Sequence, residues 1–304
     1  MSIVSDWTPE KGAALTRANL AFTHNLHERA MFSDEALIAA LETYPRDRLG
    51  VFTMGEDPAA WTTWRKGAAG ELTGRQLWEA AMAGRIWLNL RETNRYLPAY
   101  RALCEEIFAE KAAHAPGLKT FKRDLGLLIS SARAQVFYHL DVPLVSLWQI
   151  RGAKRVWLYP VEEPYVGDEA LERIVLRETA EQFAFDPAWD QGAELHELIP
   201  GRMVTWRQNA PHRIENGPML NVSLSIEFMT PQALMRANVI YANGLMRRGL
   251  GARPKIQSGW TPAALGKLAL ARGAKAMGLP KPNRRVLPVS FRLDAGRPGE
   301  LSPP

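Results

Sequence analysis

Three residues have the types and spacing to do chemistry together. His139 and Asp141 stand two apart in the run AQVFYHLD, and His212 lies far downstream in WRQNAPHRIEN. Two imidazoles and one carboxylate on one ion occupy about half of an octahedron and leave the rest open. That suits non-haem Fe(II), which must take up a bidentate co-substrate and O2. Zinc could be held by the same residues, although catalytic zinc more often takes three histidines or cysteines. A bare His-x-Asp pair is common by chance, so its weight depends on the elements around it.

Those elements read as strands. From about Leu125 short apolar runs follow one another: GLLISS, AQVFYHLD, LVSLWQIR, KRVWLYP, ELHELI, MVTW and MLNVSLSIEF, separated by Gly152, Pro160, Gly201 and Gly217. One helix-like insertion, Asp168–Thr179, interrupts them. The pattern predicts a mixed, mainly β core, a double-stranded β-helix or jelly roll over residues 125–229. Strict alternation puts Gln135, Phe137, His139 and Asp141 on one face of their strand, and Ala134, Val136, Tyr138 and Leu140 on the other. His139 and Asp141 then project together, about 7 Å apart at Cα. In the closing strand Asn221, Ser223, Ser225 and Glu227 make a small polar face, fit for a wet cavity or for solvent.

Residues 1–124 are expected to form a region of helices and short strands packed on the barrel. Ser33 caps one predicted helix and Thr73 another, with strands at Leu49–Met54 and Arg85–Leu90 and a long helix from Glu92 to about Ala113. His24 and His27 have helical metal-pair spacing but no third ligand nearby, and read as solvated or capping residues. Residues 230–304 read as a basic region with helices at Pro231–Arg248 and Thr261–Met277 and a frayed end at Ala295–Pro304. Trp61, Trp64, Trp78, Trp148 and Trp206 are candidates for the entrance of the site.

A chain of 304 residues, 46% hydrophobic, can bury a large core. No apolar run approaches the ~18 residues of a membrane span, and the first residues lack a basic-then-apolar leader. Its one cysteine, Cys104, excludes an internal disulfide and fits a reducing, cytoplasmic setting. The net charge of +6 is uneven: from Pro231 onward there are 13 Lys/Arg against 2 Asp/Glu, while the remainder is mildly acidic. Such a tail admits nucleic-acid contact, but more often marks a solvated face.

The stretch Ile129–Pro160 resembles the JmjC/cupin-like branch of 2-oxoglutarate oxygenases, which includes the asparaginyl hydroxylase that inhibits hypoxia-inducible factor. QIRGAKR at Gln149–Arg155 matches the segment that follows the His-x-Asp strand there, and Lys154 falls thirteen residues after Asp141. IPGRMVTWRQNAPHRIEN and NVSLSIEF resemble the distal-histidine segment and closing strand. The resemblance implies that His139, Asp141 and His212 are catalytic ligands of Fe(II) and that Lys154 pairs with the distal carboxylate of 2-oxoglutarate. Val136 and Val145 stand where a threonine and an asparagine are expected, so Gln135, Asn221, Ser223 or Ser131 would have to substitute. The implied activity is hydroxylation of a protein or small-molecule substrate; the alternative is a non-catalytic, metal-binding cupin-like regulatory or nucleic-acid-associated protein. The resemblance also implies a homodimer through the C-terminal helices, with packing of those helices onto the barrel as the other outcome.

Overall fold

The N-terminal region begins with α1 (Pro9–Ala14), β1 (Leu20–Thr23), α2 (Asp34–Thr43), β2 (Gly50–Thr53), β3 (Arg65–Ala68) and α3 (Gly74–Ala83). In this computed structural model, which describes residues 2–257, 259–280 and 287–304, the helix starts follow local chemistry. The Ser33 hydroxyl accepts the Ala36 N–H. Thr73 and Gln76 close a reciprocal capping box, a device that contributes about 1 kcal/mol. β4 (Ile86–Leu90) leads to α4 (Thr93–Tyr96) and α5 (Pro98–His114); Pro98 divides the expected long helix, since it forces Leu97 into extended backbone.

The β series follows: β5 (Phe121–Ser130), β6 (Gln135–His139), β7 (Leu144–Arg151), β8 (Lys154–Leu158), α6 (Asp168–Val175), β9 (Glu194–Leu198), β10 (Arg202–Thr205), β11 (His212–Asn216) and β12 (Asn221–Met229). Then come α7 (Pro231–Leu250), α8 (Pro262–Ala276), β13 (Val289–Leu293) and β14 (Leu301–Ser302). One sheet runs β6-β11-β8-β9. The other runs β1-β10-β7-β12-β5-β4-β2-β3-β13-β14. The four-stranded sheet and the β10-β7-β12-β5 part of the larger one enclose Val145, Leu147, Val156, Leu158, Leu198, Val204 and Ile214, which is the interior of the jelly roll. The opposite side of the larger sheet carries the main core, built with α2, α3 and α5.

The larger sheet draws strands from all three stretches of the chain. β1 pairs with β10, β4 with β5, and β13 runs parallel to β3. The C-terminal end is not frayed throughout: Arg292 and Leu293 pair with Ser302 and Leu301. Of the tail's basic residues, Lys281, Arg284 and Arg285 lie outside the described residues. Among the described residues no helix is long and apolar enough to cross a membrane.

A bulge corrects the predicted strand faces. His212 pairs with His139, but two residues on, Ile214 pairs with Val136, three residues back. The extra residue on β6 turns Val136 to the side of His139, and it packs in the barrel interior. Gln135 instead pairs beside Glu215, and its side chain donates to the Gly55 carbonyl at 2.7 Å.

Candidate metal centre

His139 ends β6, Asp141 follows it, and His212 opens β11, directly opposite His139 and beside Leu158 of β8. One ligand-type atom from each of the three lies within 4.8 Å of the other two. The imidazole centroids are 4.0 Å apart, and His212 Nε2 stands 3.3 Å from Asp141 Oδ2. Two ligands at right angles on one ion, each about 2.1 Å from it, stand about 3 Å apart, so the spacing suits a shared cation.

The tautomers are set by the backbone. His139 Nδ1 lies 2.7 Å from the Phe137 carbonyl and His212 Nδ1 lies 3.0 Å from that of Ala210. A carbonyl oxygen only accepts, so each Nδ1 carries a proton, and in the neutral ring it is Nε2 that offers the lone pair. Burial, and then the neighbouring His139, lower the His212 pKa to about 3, which keeps it neutral and able to ligate. Asn209 supports the third member: its Nδ2 donates to the Asp141 carbonyl at 3.0 Å. Gln208 holds the next residue, donating to the Val142 carbonyl at 2.7 Å.

Other groups gather at this end, and of these only Glu227, on the polar face of the closing strand, was named from the sequence. Gln182, in the insertion between β8 and β9, bridges to His139. Glu181 beside it has its pKa raised by burial and then by the Asp141 charge. Glu227 is pushed up to about 8, mainly by burial, although Arg91 reaches it at 3.1 Å. Asp124, 3.6 Å from Arg91, is also raised by burial. Of the five tryptophans nominated for the entrance, Trp206 packs on His212 with centroids 4.6 Å apart. Trp61 and Trp64 instead group with Phe52, Trp87 and Phe137, and Trp148 packs on His24 in the core. His24 is buried rather than solvated, and its Nδ1 accepts the Leu26 N–H at 3.1 Å, the capping role that was the other expectation for it.

Lys154 opens β8 at the other end of the same sheet, paired with Asn216 as Leu158 is paired with His212. Four residues of strand separate the two levels, about 13 Å. The β7–β8 turn that delivers it needs Gly152: φ is +70°, and a Cβ there would meet the Leu220 carbonyl at 2.4 Å. Lys154 is 6% exposed, and burial lowers its pKa to about 7. Among the described residues it has no hydrogen-bond or ion-pair partner; it lines a cavity of about 800 Å³ at this end of the sheet with Gln135, Asn216, Glu56, Glu197 and Glu215, and none of His139, Asp141 and His212 lines that cavity. Asn221 and Ser223 are buried and engaged: Gln149 Nε2 donates to Asn221 Oδ1, and Ser223 Oγ donates to Gln149 Oε1, each at 2.7 Å. Ser131 is likewise spent on the Ala81 carbonyl, at 2.7 Å.

The architecture is a double-stranded β-helix, with the His-x-Asp and the distal histidine together at one end. Among solved structures, an X-ray structure of YcfD from Escherichia coli matches with a TM-score of 0.51 at 15% identity, covering 92% of this chain and 70% of that one. Another E. coli YcfD structure, described as a ribosomal oxygenase in complex with cobalt and 2-oxoglutarate, matches with a TM-score of 0.48 at 15% identity over 88% of this chain and 65% of that one. At such identity the likeness establishes a shared fold. No protein-family model matches the chain, and no curated protein matches it by sequence.

Proposed function

We propose that the chain is an Fe(II)- and 2-oxoglutarate-dependent oxygenase that hydroxylates a protein side chain or a small molecule. The observation that carries the reading is the donor set. Two Nε2 lone pairs, each exposed by an Nδ1–H held on a backbone carbonyl, converge with one carboxylate at the end of a barrel. His139, Asp141 and His212 would hold the iron, whose chemistry when bound is to couple oxidative decarboxylation of 2-oxoglutarate to oxidation of a C–H bond. The fold shared with YcfD is compatible with that role.

The chain's own contribution is positioning and exclusion of water. Asn209 and Gln208 anchor the turn that carries Asp141, and Trp206 packs one face of His212. Lys154, buried and without an anionic partner among the described residues, would receive the distal carboxylate of 2-oxoglutarate. Gln135, Asn221 and Ser223 already have protein partners, so Lys154 would carry that contact with little help.

The test is succinate release from 2-oxoglutarate with Fe(II) and ascorbate, together with thermal stabilisation by N-oxalylglycine. Both are expected in the native chain and reduced in Lys154→Ala. Absence of both would overturn the reading. The engagement of those three polar side chains favours a second reading, a metal-binding cupin-like protein without co-substrate. In that case the metal would raise Tm and N-oxalylglycine would not.

A further inference from the structure

A separate cavity of about 950 Å³ lies between the C-terminal end of α5 and the N-terminus of α7. Its charged lining is of one sign: Arg17, Lys119, Arg207 and Arg236, with no aspartate or glutamate. Among the described residues none of the four forms an ion pair.

Arg236 is the most informative of them. It is half-buried on α7, and its Nε donates to Asn209 Oδ1 at 3.2 Å. The other four N–H groups of its guanidinium have no protein acceptor among the described residues. Burial and then the Arg207 charge pull its pKa below the usual arginine value, with Asp168 acting the other way. Arg207 is exposed and Arg236 half-buried; a guanidinium partly withdrawn from water beside a second cation gains when an anion joins the two. α7 adds to the same field. Its first turn lines the cavity at Gln232 and Ala233; the Ala233 N–H is taken by Thr230 Oγ1, and the Gln232 N–H is left for a ligand. Trp7 and His114 also line the cavity and stack with centroids 5.0 Å apart and planes 3° from parallel, with His114 exposed.

We propose that this cavity binds a nucleoside phosphate, either free or within a single RNA strand. Arg207, Arg236 and the α7 N-terminus take the phosphate, and the Trp7–His114 stack offers its outer face to the base. Cations of one sign beside an aromatic platform are the combination that holds single-stranded nucleic acid and nucleotides without reading sequence. The site is independent of the metal, though Arg236 and the turn carrying Asp141 share Asn209 as a partner.

The test titrates the intact chain with inorganic phosphate and AMP by calorimetry, and with a short labelled single-stranded RNA by anisotropy. Arg236→Gln, and the double variant Arg207→Gln with Lys119→Gln, should each weaken binding about tenfold or more. Arg207 and Lys119 are exposed, so the double variant keeps the test open if Arg236→Gln fails to fold. Arg253→Gln with Lys255→Gln removes the same charge as the double variant from the C-terminal stretch and should change binding less than about twofold, because it leaves the cavity intact. AMP binding with phosphate competition and no RNA binding assigns the site to a small ester; salt-dependent RNA binding lost in the cavity variants assigns it to a strand. No binding of any probe, or equal losses in the cavity and C-terminal variants, would overturn the proposal.

Discussion

Two lysines in different regions of the molecule are buried almost equally and mean different things. Lys111, on α5 in the main core, is 2% exposed, and Lys154, at the foot of the barrel, is 6% exposed. Burial lowers the pKa of each to about 7. Lys111 is met from within. Its Nζ donates to Ser146 Oγ at 3.1 Å and lies over the rings of Phe228 and Phe108, at 4.7 and 5.3 Å. Lys154 has no such partner among the described residues and opens on a cavity. Desolvation alone therefore does not mark a functional lysine; what distinguishes the two is whether the protein itself answers the charge.

The largest test of that contrast removes the metal set. Asp141→Ala should lower succinate formation by about a thousandfold or more, because an open site with two imidazoles binds Fe(II) poorly. Circular dichroism should show the fold kept, since Asp141 is only partly buried. If Asp141→Ala turns over 2-oxoglutarate normally, the role assigned to Lys154 fails with it.

The next effect separates the lysines directly. Lys154→Ala should raise KM for 2-oxoglutarate by about thirty- to a hundredfold, the effect of removing one partner of a desolvated charge pair. Lys111→Met should leave KM unchanged in the folded fraction. Equal kinetic losses from both would show that the contrast is one of stability alone.

A pH series sharpens it further. The folded pKa of Lys154, about 7, lies below its ordinary 10.5. Its favourable contribution is thus present above the ordinary value, where the amine is neutral in both states, and is lost as pH falls through 7, where the folded chain must bury a cation. In urea denaturation of the metal-free protein, the advantage of Lys154→Met over wild type should therefore grow from pH 10 to pH 7 and level off below. N-oxalylglycine, by supplying the anion, should draw a proton onto Lys154 near pH 8. That uptake is measurable by calorimetry in buffers of different ionisation enthalpy, and should be missing in Lys154→Met.

Much of this arrangement was legible locally. Alternating apolar runs punctuated by Gly152, Gly201 and Gly217 outlined β5 to β10 and β12, and Ser33, Thr73 and Thr261 marked their helices; β11 was not among those runs, and His212, expected in a turn, opens it instead. What escaped depends on partners distant in sequence. β1 and β3 are four residues each, and are strands because Phe22 meets Met203 and Gly67 meets Phe291. The bulge on β6 is a register shift against β11, and alternation within one strand cannot show it; that is why Gln135 was grouped with His139 and Val136 was not. Asn209 could have been suspected, since asparagine tolerates the left-handed backbone it adopts, with φ +65°, just before a histidine turn. Glu181 and Arg91 carried no local signal, because only the packing of the insertion and β4 brings them toward Asp141.

The smallest expected effect tests the Lys111 half of the comparison. Ser146 Oγ accepts from Lys111 Nζ at 3.1 Å and also from Trp148 Nε1 at 3.0 Å. Ser146→Ala leaves both donors without that acceptor, and should cost about 1–3 kcal/mol in urea denaturation. The Lys111 amine, having lost the partner that favours its charged form, should titrate at a still lower pH, so the loss should deepen as the solution is acidified. KM for 2-oxoglutarate should not move. A stability loss within error of zero would mean that the phenyl rings alone hold Lys111, and that burial beside aromatic faces is enough to make a lysine structural.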